Sequence, residues 1–429
     1  MQLFIFGSLS LTNFLDIAVY NPSKTRKRRI SRMLKDIQKG VETTFWMQYE
    51  KRKMKECVNT LHNLATAFLT EENQEEEKDR YHLFMKKRLK ESRILVADHL
   101  KEIAKIIDHV ADEKIVIEVL PPKVEKQLSK LLLAEGIVME ELSIAEKENG
   151  KKEILVRMYQ NRLPKKKNYY TAEEVGEFLS VFFNKRLIPC INTPFFLMDT
   201  PESFCFEEEA VYSVLTGYSK VTKTGEKVSG DNYVYFESDE KKFYSVLSDG
   251  MGSGEKASAD SEEVIDMVER FIEGGCSEIL AAKMINNTLL AKGDGRNMST
   301  LDLCSIDLHT AKAEFLKVGA TYSLLKRDGH VEKIPSISLP LGVFYEIEMN
   351  QHKKQLLDGD YIFMFSDGIL DHFSGEEGEE MLKEIVRQIP YKRPNEMASY
   401  IMKMAIMASQ GAIKDDTTIL VMGIWENKH

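Results

Sequence analysis

The chain has 429 residues, 43% hydrophobic and 9% aromatic, enough for two or three domains with real cores. Lys and Arg total 59 against 68 Asp and Glu, a formal charge of −9, which argues against a general nucleic-acid binder and favours basic partners or metal cations. The five cysteines, Cys57, Cys190, Cys205, Cys276 and Cys304, form no Cys-x-x-Cys pair, so neither a disulfide framework nor a zinc site follows and a reducing cytosol is the expectation.

Leu3–Tyr20 is apolar but interrupted by Asn13 and Asp16, and the basic run Lys24–Arg29 follows it. The stretch falls short of the ~20 apolar residues of a membrane helix, and no basic segment precedes it as in a secretory signal. A buried or partner-bound helix is expected, with membrane contact on the cytoplasmic face as the alternative. From about Arg32 to Val110 the pattern is helical. Met54, Val58, Leu61, Ala65 and Phe68 form one apolar stripe, and Val96, Leu100, Ile103, Ile107 and Val110 form a second beyond the acidic break Thr70–Arg80. Charged helices with a narrow apolar seam predict a hairpin or a dimerising coiled coil, hence a homodimer. A helix pair packed on its own domain is the alternative.

Residues 113–190 read as a small α/β domain. "KIVIEVL" is a strand, "KVEKQLSKLLLAEG" a helix, "KEILVRMY" a strand, and "TAEEVGEFLSVFFNKRL" a helix whose Thr171 and Glu174 fit a capping box. No chemical constellation lies in this part, so a regulatory or structural role is expected of it. After Pro194 strands dominate, from "AVYSVLTGYSKVT" to "TTILVMGIW", with helices over Glu255–Gly274 and Ser277–Leu290. An α+β sheet sandwich is expected over residues 200–429, preceded by the small domain and by a helical segment over 1–112.

The glycine-rich loop "SDGMGSGEKAS" is not a phosphate-binding loop. Glu255 separates Gly254 from Lys256, and Ala257 stands where Ser or Thr is required. Repetition is the better guide. "FYSVLSDG" and "YIFMFSDG" place Asp249 and Asp367 where an apolar strand meets a glycine. Asp231 enters another strand in "SGDNYVYF", and Asp415 and Asp416 enter the last one in "KDDTTILV". Any single Asp-Gly is an ordinary turn. Four acidic strand ends in one domain predict a cavity of carboxylates, which hard cations such as Mg²⁺ or Mn²⁺ neutralise. Two such ions activate a water for phosphoryl transfer.

Together with "SLPLGV" and "FMFSDGILD", these motifs resemble the phosphatase domain of the stage II sporulation protein E family, metal-dependent serine phosphatases of the PPM (protein phosphatase 2C-like) type. The resemblance runs from about Phe204 to the C-terminus. It implies an αββα sandwich and two Mn²⁺ or Mg²⁺ ions, with Asp249, Asp231 and Asp367 catalytic and Asp249 bridging both ions. Asp231 and the Gly250 carbonyl would hold one ion. Asp367 and Asp415 or Asp416 would hold the other, Asp415 aligning with the first aspartate of the motif. It also implies phosphoserine hydrolysis on an anti-sigma factor antagonist, the partner-switching control of a sporulation sigma factor. Eukaryotic relatives carry a histidine after the Asp-Gly where this chain has Met251, so protonation of the leaving group is left to water. His372, on the helix after its strand, is expected to be structural. Family members carry a multi-span membrane region ahead of their regulatory segment, whereas this chain offers at most Leu3–Tyr20. The helices over Glu255–Leu290 begin at the metal loop, so shifting them would move Asp249 and Gly250. A phosphatase of small phosphoesters, or a degenerate domain serving as sensor or scaffold, remains the alternative.

Overall fold

The computed structural model describes residues 116–118, most of 120–427, and parts of 54–69 and 90–108. Leu3–Tyr20, Lys24–Arg29 and Thr70–Arg80 lie outside the described residues. The chain divides into two compact units, Met1–Leu64 with Ile103–Asp112, and Ala65–Glu102 with Glu113–His429. In the first, Val58 is buried and Lys55 pairs with Asp108 at 2.6 Å. On the described helical residues near 100, Ala97 and Ala104 are buried while Ile103 is exposed, so the small residues beside the expected stripe carry the buried face. Among the described residues no helix is long and apolar enough to cross a membrane.

In the second unit, an antiparallel sheet runs in the order Val116–Glu118, Ile137–Glu146, Lys152–Gln160, Glu202–Glu208, Leu187–Pro189. Helices Pro122–Ala134 and Ala172–Phe183 bury Leu128, Leu132, Val175 and Leu179 with Val156, Met158, Phe204 and Phe206 of the sheet. The second helix starts at the expected capping box. Glu174 donates its N–H to the Thr171 hydroxyl at 3.2 Å, and its carboxylate accepts the Thr171 N–H at 3.0 Å. Three strands were not expected here, the short edge strand Leu187–Pro189 among them. Ile137–Glu146 is acidic and slips register between Met139 and Glu141, which breaks the alternation that marks a strand. Glu202–Glu208 pairs with Lys152–Gln160, so residues past 200 complete this sheet rather than the sandwich.

The sandwich follows. One five-stranded sheet has the order Asn350–Gln355, Lys312–Val318, Leu301–Asp307, Lys242–Asp249, Asp231–Glu237. The other has the order His330–Ile334, Ser323–Arg327, Tyr361–Phe365, Thr417–Glu426, Tyr212–Val221. Their facing sides share one core, in which Phe243, Leu247, Cys304 and Phe315 of the first meet Leu325, Ile362, Met364 and Leu420 of the second. Helices Gly254–Glu273 and Glu278–Ala291 cover the outside of the first sheet through Val264, Val268 and Ile285. Helices Gly378–Gln388 and Pro394–Ala408 cover the second through Leu382, Val386, Met397 and Ile401. The layers are therefore αββα. Almost every central strand is buried on both faces, and hence reads as a continuous apolar run.

Candidate metal centre

Asp231 opens one strand of the first sheet and Asp249 closes its neighbour, and the register makes them direct cross-strand partners. Like charges placed directly opposite each other destabilise a sheet, so a purely structural design would avoid this pair. Asp231 is fully buried, and neither carboxylate oxygen has a hydrogen-bond partner. Burial pushes its carboxyl up to about 6 against the nearby Thr418 and Ser366 hydroxyls, with the Asp367 and Asp416 charges adding to the rise. At Asp249 burial, and then the charges of Asp231, Asp367 and Asp415, push the carboxyl up to about 9. Asp367 comes from the opposite sheet, as the first residue of the short helix Asp367–His372. Burial and then Asp415 raise it, while the Gly368 N–H opposes them. One cleft touches both sheets, lined by Leu247, Asp249, Thr300, Asp302, Thr321 and Asp367 among others.

The neighbours Asp415 and Asp416 have different surroundings. Asp416 is buried and accepts the Lys223 N–H at 2.9 Å on one oxygen and the Gly230 N–H at 2.7 Å on the other. It thereby ties the 223–230 loop to the last strand. Asp415 is partly exposed and stands close enough to Asp249 and Asp367 to raise both.

The two Asp-Gly glycines are required by close approach. A Cβ on Gly250 would lie 1.9 Å from the Ala257 carbonyl oxygen, and one on Gly368 would lie 2.0 Å from that of Asp416. Gly250 thus seats the Gly254–Glu273 helix directly behind the metal loop. Ser261 of that helix donates to the Gly230 carbonyl at 2.5 Å, and Asn232 donates to the Ser258 carbonyl at 2.9 Å.

The residues present fit hard divalent cations. The donors are all oxygen, two of them are buried without a partner, and burial holds protons on carboxyls that a cation would displace. Among the described residues no three His, Cys, Asp or Glu side chains already stand at ligand spacing.

Residues 239–425 match the family model described as stage II sporulation protein E (SpoIIE). The stage II sporulation protein E of Bacillus subtilis (strain 168) is 30% identical over 347 residues, 81% of this chain and 41% of that protein. That of Priestia megaterium is 35% identical over 231 residues, 53% of this chain and 40% of that protein. Residues 239–425 belong to the stage II sporulation protein E family.

The chain spans about two fifths of the length of these SpoIIE relatives. A solved structure of the PP2C phosphatase domain and a fragment of the regulatory domain of the cell fate determinant SpoIIE from Bacillus subtilis matches with a TM-score of 0.57 at 27% identity, over 81% of this chain and 97% of that one. The part of SpoIIE seen in that structure is thus a PP2C-type phosphatase domain.

Two features beside the carboxylates depend on the tertiary structure. Beneath the cleft, Lys317 is fully buried and donates to both Asp302 oxygens at 2.6 Å, to Ser323 Oγ at 2.7 Å and to the Thr321 carbonyl at 3.0 Å. Thr321 in turn donates to the Phe365 carbonyl at 2.8 Å, two residues before Asp367. The second feature is His372. It lines a cavity of about 230 Å³ with Lys414 and Asp415, and its Nε2 lies 3.4 Å from Thr417 Oγ1. Burial lowers its pKa from the usual histidine value. The Met251 side chain is half exposed and offers no proton to the site.

The raised carboxyls give a pH prediction. Folded Asp231 and Asp249 bind protons that the unfolded chain has lost above about pH 4. Stability falls with pH wherever the native state holds more protons. Chelator-treated protein should therefore lose thermal stability as pH rises from 5 to 9, most of it through the folded values near 6 and 9. Saturating Mn²⁺ should flatten or reverse the trend. A melting temperature that rises with pH in the chelated protein would refute the clustering of these carboxyls.

Proposed function

We propose that this chain is a metal-dependent phosphoserine protein phosphatase acting on a phosphorylated anti-sigma factor antagonist, with residues 113–190 as its regulatory domain. The observation that carries this reading is the meeting of Asp231, Asp249, Asp367 and Asp415 at the strand ends of two facing sheets, with a fully buried Asp231 directly opposite Asp249 and no cationic side chain among the groups acting on either. Asp249 would contact both cations, with Asp231 and the Gly250 carbonyl on one and Asp367 and Asp415 on the other. When bound, Mn²⁺ or Mg²⁺ supplies an activated water and neutralises charge on the phosphoryl group. The chain's own part is positioning. Asp416 anchors the 223–230 loop, Gly250 and Gly368 permit the close backbone packing, and the Lys317–Asp302 pair supports the cleft from below.

The test is hydrolysis of a chromogenic phosphoester with Mn²⁺, Mg²⁺ or EDTA, followed by competition between phosphoserine proteins and small phosphoesters. Turnover that requires the metal and prefers the phosphoprotein is expected. Metal-dependent turnover without that preference would favour a small-phosphoester enzyme, and no turnover by the full chain or by residues 200–429 would favour a scaffold. The two adjacent aspartates should separate cleanly. Asp415→Asn should weaken Mn²⁺ binding in calorimetry and leave the urea midpoint near wild type. Asp416→Asn should lower stability by about 1–3 kcal/mol, because it weakens two buried hydrogen bonds to a carboxylate. The reverse pattern would make Asp416 the ligand.

A further inference from the structure

Cys190 follows the edge strand Leu187–Pro189, and Cys205 lies in its neighbour Glu202–Glu208. The register pairs Leu187 with Glu208 and Pro189 with Phe206, which brings Cys190 opposite Cys205, and the Cys190 N–H donates to the Cys205 carbonyl at 2.9 Å. Their Sγ atoms stand 2.7 Å apart as thiols, both partly accessible. Unbonded heavy atoms prefer about 3.5–4.0 Å. A disulfide needs about 2.05 Å between sulfurs and about 4.4–6.8 Å between Cα atoms, a range that cross-strand partners at about 4.5–5.5 Å satisfy. The pair is thus already aligned for bonding, with only a small sulfur movement left. The Cys190 S–H donates to the Cys205 sulfur, and that bond, with burial, pushes the Cys190 thiol up.

We propose that Cys190 and Cys205 are a reversible thiol–disulfide pair, oxidised by a low-molecular-weight disulfide. Cys205 loses its proton and attacks one sulfur of the oxidant RSSR. The Cys205–SR bond forms as the RS–SR bond breaks, and the departing RS⁻ takes up a proton. Cys190 then loses its proton and attacks the Cys205 sulfur. The second RS⁻ leaves and is protonated, so two thiols are oxidised and one RSSR is reduced to two RSH. The bond would fix the strand that joins the two sheet systems. Glu207 on that strand pairs with Lys241 of the sandwich at 3.1 Å, and Glu209 just beyond it pairs with Arg186 at 2.5 Å.

The experiment treats the full chain with glutathione disulfide or with reduced glutathione, then maps peptides without reduction and records thermal melting. The expected product is a Cys190–Cys205 peptide about 2 Da lighter than the two thiol peptides, reversed by dithiothreitol. The melting midpoint should rise by about 5 °C or more, because the bond closes a loop of intermediate length. Cys190→Ser should stop at a glutathione adduct on Cys205 and lose the rise. Two unlinked residues in the wild type, whether thiols or separate adducts, would overturn the proposal. So would reaction confined to exposed Cys57, or a linked product with an unchanged midpoint.

Discussion

Replacing Asp249 with asparagine is expected to lower Mn²⁺-dependent phosphoester hydrolysis by at least about 10²–10³-fold, the loss typical of removing one preorganised electrostatic contact. Asp249 faces Asp231 across the strand pair and feels Asp367 and Asp415 from the other sheet, so it meets every other carboxylate of the cluster. The stability of the same variant separates a lost site from a lost fold. Above its unfolded pKa, a carboxyl raised to about 9 costs the metal-free native state free energy. The metal-free Asp249→Asn protein should therefore melt at or above the wild-type temperature and gain little from Mn²⁺. An inactive variant that also melts well below metal-free wild type would mean that Asp249 is structural. Full activity in a folded variant would remove it from the catalytic centre.

Lys317→Met should cost about 3–5 kcal/mol in urea unfolding, measured without metal, because it strands the Asp302 charge in a buried site. Burial alone raises Asp302, and the Lys317 ammonium is the charge that opposes it. Adding Asp302→Leu to Lys317→Met should recover most of the loss, since a buried ion pair replaced by apolar groups is often neutral. A coupling energy near zero in that double-mutant cycle would show that the two side chains do not depend on each other. A single substitution costing less than about 1 kcal/mol would show that the site admits water, in conflict with the full burial of Lys317.

Much of the architecture was legible along the chain. The sandwich strands Tyr212–Val221, Asp231–Glu237, Lys242–Asp249, Leu301–Asp307 and Thr417–Glu426 were visible because β-branched and aromatic runs bounded by Gly or Asp are local signals. The capping box at Thr171 was visible for the same reason. The strands His330–Ile334 and Asn350–Gln355 were not, because both lie at sheet edges and carry mainly charged and polar residues with alternating exposure. Helices Gly378–Gln388 and Pro394–Ala408 were also missed. The first is dominated by charge, and the second is apolar around much of its circumference, which blurs its period.

The sequence by itself determined the strand ends, the acidic residues that mark them and the family motifs. Tertiary structure alone decided which of those residues meet. Asp302 and Lys317 look like ordinary members of two strands until the register sets them opposite each other. Cys190 and Cys205 are scattered thiols until the same kind of pairing aligns them. Asp415 and Asp416 are indistinguishable in one dimension, but neighbours on an extended chain point to opposite sides. One therefore stands close enough to Asp367 to raise its pKa, and the other binds the Lys223 and Gly230 N–H groups. Local pattern follows from propensity and periodicity within a few residues. Register and side-chain direction follow from packing between segments far apart in the chain.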